Sequence, residues 1–109
     1  MSDCIFCEIA KKNVESNIVM ESENVVSFYD KTPAAKVHIL VISKRHVETT
    51  LDLLQDKKLL VEMFDMAKKI VKSKKIGEAY KLVFNGGRYQ YVSHAHLHIL
   101  GGEMKKEAV

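Results

Sequence analysis

YVSHAHLHILGG, residues 91–102, carries three of the chain's five histidines at every second position, His94, His96 and His98, with small or aliphatic residues between them. In an extended strand, side chains two apart point to the same face and lie about 6.5–7 Å from one another. Read as a strand, the stretch therefore presents three imidazoles together. Ala95, Leu97 and Ile99 face the other way and pack inward beneath a helix. A helix would scatter the same histidines around its axis, so the extended reading is what makes them one site.

The segments around this strand complete the architecture. YKLVF, residues 80–84, reads as a neighbouring strand, and NGGRYQ connects the two. From Asp56 to Lys75, Leu59, Leu60, Met63, Phe64, Ala67, Ile70 and Val71 form the stripe of a long amphipathic helix, with Gly77 as its C-terminal cap. Lys58, Glu62, Asp65, Lys68, Lys69 and Lys72 occupy its solvated side, with Asp65 and Lys69 in the favourable i, i+4 order. VHILVIS, residues 37–43, is a buried strand. KTPAAK holds the only proline, Pro33, and is a connection. NIVMESENVVSFYD reads as two strands around a turn at 21–24. CIFCEIAKK, residues 4–12, reads as a short helix that places Ile5, Phe6 and Ile9 on one apolar side. No regular crossover helices separate the strands. The expectation is an α+β fold, a largely antiparallel sheet of about five strands with one short and one long helix, in a single domain spanning 1–109.

The chain has 109 residues, 47% of them hydrophobic and 28% charged, which fits one globular domain. A net charge of +3 is too small to argue for nucleic acid, so none is expected as a partner. No apolar run reaches the length of a membrane span, and the N-terminus lacks a secretory pattern, so no membrane partner is expected either. The expected location is cytoplasmic, or also nuclear in a eukaryote. In a reducing compartment Cys4 and Cys7 are thiols or metal ligands rather than a disulfide. No βαβ pattern surrounds their C-x-x-C spacing, which argues against a thioredoxin-like redox pair.

Three imidazoles on one face can hold a metal or carry out nucleophilic and acid–base chemistry near neutral pH. At this spacing the outer rings lie too far from the middle one to share a zinc ion readily. Catalysis is therefore favoured, with at most one ring given to a metal. Asn85-Gly86-Gly87 is a glycine turn of the kind whose backbone N–H groups approach an anion closely, which points to phosphate chemistry. The turn also reads as a plain hairpin connection.

HAHLHIL resembles the His-x-His-x-His-x-x signature of the histidine-triad (HIT) family of nucleotide hydrolases and transferases. DCIFCEI, FYDKTP, VHILVISKRH and HLHILGG extend the resemblance over nearly the whole chain, in the order of the purine nucleoside phosphoramidase branch. The resemblance implies a HIT-like fold and a hydrolase or transferase that cleaves the α-phosphate linkage of nucleoside 5′-phosphoramidates or adenylylated acceptors. His96 would be the nucleophile, forming a nucleotidyl-histidine, and the backbone carbonyl of His94 would orient its ring. His98 and His38 would hydrogen-bond the phosphoryl oxygens and leaving group. Asn85 and the backbone following Gly87 would add donors.

Asp30 would bind the ribose hydroxyls, and Phe6, Ile9, Phe28 and Leu40 would wall a purine slot. Phe28, Leu40 and Ile9 also read as ordinary core residues, and Asp30 as a turn residue. Where the family usually has Gly-Gln-Ser or Gly-Gln-Thr before the triad, this chain has Tyr89-Gln90-Tyr91, so the Tyr91 phenol stands in place of a phosphate-contacting hydroxyl. The resemblance further implies a structural zinc on Cys4, Cys7, His46 and His94. It also implies a homodimer that extends one sheet across both chains, covering the apolar long helix and YKLVF edge. The alternatives are a dinucleoside polyphosphate hydrolase and a nucleotide-binding scaffold with little turnover.

Overall fold

In a computed structural model that describes residues 3–105, the chain runs through α1 (Ile5–Ala10), β1 (Ile18–Glu21), β2 (Val25–Tyr29), β3 (Ala35–Ser43), α2 (Thr50–Leu54), α3 (Lys57–Ser73), β4 (Tyr80–Phe84), a 3-10 turn (Gly87–Tyr89) and β5 (His96–Met104). The ends of the expected 1–109 domain, residues 1–2 and 106–109, lie outside the described residues. The strands form one sheet in the order β1-β2-β3-β5-β4, every neighbouring pair antiparallel. The expected α+β architecture with five strands is what the chain adopts. No helix among the described residues is long and apolar enough to cross a membrane.

Alternation along β3 and β5 divides the core between the two faces of the sheet. Ile39, Val41, Ala95, Leu97 and Ile99 pack with Leu59, Met63, Met66, Ala67 and Ile70 of α3. Leu40 and Ile42 turn to the opposite face, where Phe6 and Ile9 of α1 join Val26 and Phe28 of β2. Each such fully buried aliphatic side chain contributes about 1.5–3 kcal/mol relative to exposure. The histidines of β3 and β5 share this second, thinner face: His38 pairs opposite Leu100, His96 opposite Ile42 and His98 opposite Leu40.

Several local expectations are corrected. His94 lies in a bend before β5, so only His96 and His98 of the triad are in the strand. Strand β3 begins at Ala35 rather than at residue 37, and α1 spans Ile5–Ala10 rather than 4–12. Helix α3 ends at Ser73, well before Gly77: Lys75 takes the left-handed position (φ 58°). The Ile76 N–H then bonds Val71 O at 3.2 Å and the Lys75 N–H bonds Lys72 O at 3.2 Å. This double closure caps the helix without glycine and buries Ile76.

Other differences concern side chains. Helix α2 had no counterpart in the periodicity reading. Its N-cap Thr49 accepts the Asp52 N–H at 3.1 Å, and Leu53 is its fully buried anchor. The Asp65–Lys69 pair is absent from the ion pairs of the described residues. Glu62 is not a free solvent-face charge: it accepts from the Ser22 hydroxyl and from the Asn24 N–H (2.9 Å), tying the β1–β2 turn to α3. Phe64 and Ile5, expected to face inward, are 40% and 46% exposed.

Candidate active site

Each histidine ring is held by a main-chain group or a histidine neighbour that identifies which nitrogen carries the proton. The His96 Nδ1 sits 2.8 Å from the His94 carbonyl; a carbonyl only accepts, so Nδ1 carries hydrogen and the lone pair of the neutral ring is on Nε2. The Ala34 N–H donates to His38 Nδ1 at 3.0 Å, so the neutral His38 ring carries its proton on Nε2. That Nε2–H faces His98 Nδ1 at 3.0 Å, which leaves the His98 proton on its own Nε2. The Asn85 amide lies 3.4 Å from this last atom. Burial depresses all of these rings: His98 is pushed down to about 4, chiefly by loss of water and secondarily by His96 and His38. His96 is lowered by burial, against hydrogen bonding to His94 and the Asp30 charge. His38 is lowered by burial, which outweighs the Asp30 carboxylate 3.5 Å away. Near neutral pH the array is uncharged, with a lone pair on His96 Nε2 and an N–H on His98 Nε2.

His96 and His98 line a cavity of about 330 Å³. Phe6, Ile9, Phe28, Leu40, Asp30 and Tyr91 line it too, so these six candidates from the sequence come together around the two histidines. Phe6 meets the His96 ring edge-on at 5.1 Å and Phe28 at 5.5 Å, a rigid aromatic wall. Asp30 Oδ1 accepts the Thr32 N–H at 2.8 Å, an Asx turn that fixes the carboxylate at the cavity rim. A larger cleft of about 630 Å³, of mixed polar and apolar lining, runs alongside and shares Ile9, Ser16, Tyr29, Asp30 and Lys31, but no histidine lines it.

Two placements differ from expectation, and the His94 ring departs from the alternation reading while lying among the residues named with it as zinc ligands. Gly87 opens the 3-10 turn with φ 56° and is exposed; it is not among the residues lining the cavity. Asn85 reaches the array through His98 rather than through the cavity wall. The His94 ring does not join its two triad partners. It turns away, with Nε2 2.8 Å from the Ser43 carbonyl and Nδ1 3.3 Å from Cys4 Sγ and 3.5 Å from Cys7 Sγ. The reason is steric and chemical: the bend at 92–94 delivers the residue to the N-terminus of α1, and the backbone carbonyl of Ser43 fixes the ring there.

Cys4, Cys7, His46 and His94 bring four ligand atoms within 4.8 Å of one another. His46 Nδ1 is 3.2 Å from Cys7 Sγ. A tetrahedral zinc with ordinary bond lengths places neighbouring sulfur and nitrogen ligands about 3.5 Å apart. The His94 Nε2–H bond to Ser43 leaves Nδ1 as the free donor atom, the outer-shell arrangement a metal-ligating histidine needs. This donor set fits a closed structural ion. Asp30, His38 and His98 also cluster within 4.8 Å, but His38 Nε2 carries a proton because Nδ1 is committed to Ala34, so that group offers no third lone pair.

Residues 3–108 match the family described as "Scavenger mRNA decapping enzyme C-term binding". The chain is 35% identical over 106 residues to an uncharacterized HIT-like protein of Buchnera aphidicola, covering 94% of this chain and 93% of that one. It is 35% identical over 104 residues to the protein HitA of Neisseria gonorrhoeae, covering 93% and 97%. Among solved structures, a HIT family hydrolase from Legionella pneumophila superposes with a TM-score of 0.89 at 37% identity, covering 95% and 96% of the two chains. A histidine triad protein from Clostridium difficile gives 0.90 at 32%, covering 100% and 98%. The histidine triad nucleotide-binding protein from Candida albicans gives 0.81 at 30%, covering 98% and 86%. The five-stranded fold with its histidine array is that of the histidine-triad proteins, and the chain belongs to the HIT family.

Some parts of the site escaped the sequence reading. Ser43 and Ala34 act through main-chain groups, for which no side-chain pattern exists. Ile5, Ser16, Lys31, Thr32 and Val92 also line the cavity. Of these, Thr32 had a legible signal, standing two residues after an aspartate at a turn.

Proposed function

We propose that the chain is a nucleotide hydrolase that cleaves the α-phosphate linkage of purine nucleoside 5′-phosphoramidates or adenylylated acceptors. The observation that carries this reading is the 2.8 Å bond from His96 Nδ1 to the His94 carbonyl, which leaves the Nε2 lone pair of a neutral ring beside a nucleotide-sized cavity. His96 Nε2 attacks phosphorus, a nitrogen–phosphorus bond forms, and the bond to the leaving amine breaks. His98 Nε2–H, held in place through His98 Nδ1 by His38 Nε2–H, hydrogen-bonds the departing nitrogen, which leaves as an amine with a proton taken up from solvent. Water then attacks phosphorus, the bond from His96 Nε2 to phosphorus breaks to regenerate the neutral ring, and the water's proton passes to solvent. Asn85, beside His98, is suited to donate its amide N–H groups to the phosphoryl oxygens. Asp30 is suited to the ribose hydroxyls, and Phe6, Ile9, Phe28 and Leu40 to the purine faces.

AMP release from adenosine 5′-phosphoramidate, compared between wild type and His96→Ala, tests the reading. Release should fall by about 10⁴-fold or more while AMP still binds. Equal rates, or equal inactivity with AMP bound by both, would overturn it and favour a nucleotide-binding scaffold. Release from a dinucleoside polyphosphate but not from the amide would favour the polyphosphate hydrolase.

We also propose that a zinc ion on Cys4, Cys7, His46 and His94 fastens α1 to the sheet, and that two chains pair along β4. Tyr80 and Leu82 are 48% and 38% exposed on this edge strand, next to the Phe64–Phe84 ring pair. Sedimentation of wild type and Leu82→Lys tests the pairing: a dimer that the charge dissociates supports it, and a monomeric wild type at micromolar concentration overturns it.

A further inference from the structure

Tyr91 is 89% exposed, yet it lines the same cavity as His96 and His98. Its hydroxyl has no hydrogen-bond partner among the described residues. The backbone on either side is held firmly, through one side chain. Gln90 Oε1 accepts the Thr50 N–H at 3.1 Å, and Gln90 Nε2 donates to Glu48 O at 2.7 Å and to Val92 O at 3.0 Å. The last bond closes across residue 91, so the main chain beneath Tyr91 is clasped while the ring stands free. Ile5, 46% exposed, and Val92 border the same mouth. One rim of the cavity is thus apolar and aromatic; the rim at Asp30, Lys31 and Thr32 is polar and charged.

On the function proposed above, base and ribose use the Phe6–Phe28 wall and Asp30. Displacement at phosphorus sends the leaving group out opposite His96 Nε2, to a part of the cavity those contacts do not occupy. We propose that Tyr91 is a specificity-determining residue for the leaving group, an aromatic ring on a clasped main chain, a platform that packs on a flat aromatic amine or acceptor. A tyrosine has only two side-chain torsions, and its main chain is already held, so covering the ring with a flat partner costs little ordering. This assignment rests on the phosphoramidase reading and gives the phenol a role other than a phosphate hydrogen bond.

The test compares kcat/KM for AMP amides of tryptamine and of propylamine, amines of similar basicity that differ in the flat ring. Wild type should prefer the tryptamine amide by about 10-fold or more, mostly through KM. Tyr91→Ala and Tyr91→Ser should abolish the preference, and Tyr91→Phe should keep it. A preference that survives Tyr91→Ala, or that is lost in Tyr91→Phe, overturns the proposal, the latter in favour of a hydroxyl contact. Calorimetric affinities of the two amides for His96→Ala, with and without Tyr91→Ala, read the same contact without turnover. A binding preference that depends on Tyr91, in a wild type that releases AMP from neither amide, would sustain the platform and overturn the hydrolase. Equal affinities overturn the platform.

Discussion

One residue, His94, serves two centres: its carbonyl accepts the His96 Nδ1–H at 2.8 Å, while its ring lies 3.3 Å from Cys4 Sγ and 3.5 Å from Cys7 Sγ. The thiol cluster and the His96 ring are therefore joined by a single peptide link.

Loss of the thiols should be felt at both centres. Cys7→Ser, or chelation of a zinc-loaded protein, is expected to lower Tm by about 10 °C, equivalent to about 2 kcal/mol in a domain of this size. AMP release should fall as well, because His94 loses the anchor that sets its carbonyl. Differential scanning calorimetry with metal analysis checks the first effect. A variant with unchanged Tm and no metal content in the wild type would remove the structural ion.

Asp30 has two readings that one substitution separates. Asp30→Asn keeps an oxygen to accept the Thr32 N–H, which Asp30 takes at 2.8 Å, but loses the charge. If the carboxylate binds ribose, KM for the ribonucleotide should rise about 10-fold, a loss of about 1.4 kcal/mol. KM for a 2′,3′-dideoxy substrate should not change. If Asp30 only shapes the turn, neither KM moves.

The depressed His98 ring makes stability fall on acidification. Its value drops from 6.5 to about 4 on folding, so above pH 6.5 both states are neutral and the contribution is complete. Between pH 6.5 and 4 the unfolded chain binds a proton that the folded one refuses, and stability falls. Allowing for the ring's partial contact with water, the loss is about 1–2 kcal/mol. Denaturant melts of wild type and His98→Asn from pH 7.5 to 4.5 should diverge, the variant falling less steeply.

Gly101, in the middle of β5, faces Ile76 from the capped end of α3. A Cβ at residue 101 would lie 2.3 Å from Ile76 Cδ1 and 2.9 Å from Ile76 Cβ. Gly101→Ala should destabilise by about 1–3 kcal/mol, visible as a lower urea midpoint at constant slope. Ile76→Ala destabilises alone, yet should cost less when combined with Gly101→Ala. Additive effects would mean the two side chains do not compete for space.

The parts legible in the sequence were those with a strong period. Strand β4 begins and ends where YKLVF does, and α3 follows its apolar stripe to within two residues at the C-terminus. Helix α2 is five residues long, too short for a period; only the Thr49–Asp52 spacing marked it. Gly77 misled because Lys75 pays the left-handed strain itself, backed by two closing hydrogen bonds. Phe64 and Ile5 followed the apolar pattern but stand beside an open edge and a cavity mouth, contexts that alternation does not encode. The cavity walls Phe6, Ile9, Phe28 and Leu40 followed from the family resemblance; by pattern alone Ile9, Phe28 and Leu40 read as ordinary core residues. The direction of the His94 ring was not legible from strand alternation, because a main-chain bend and the Ser43 carbonyl decide it; only the family resemblance set that ring with Cys4, Cys7 and His46.

The link between residues 94 and 95 is gripped at both ends: its oxygen by the His96 ring at 2.8 Å, and its nitrogen, through Ala95 N–H, by Val47 O at 2.7 Å. Neither grip on that plane belongs to a side chain of 94 or 95, so His94→Ala removes the ring's anchorage but keeps both hydrogen-bonding atoms. A backbone edit, such as an ester in place of that amide, would withdraw the Val47 bond directly and weaken the acceptor that sets which nitrogen of His96 carries the proton.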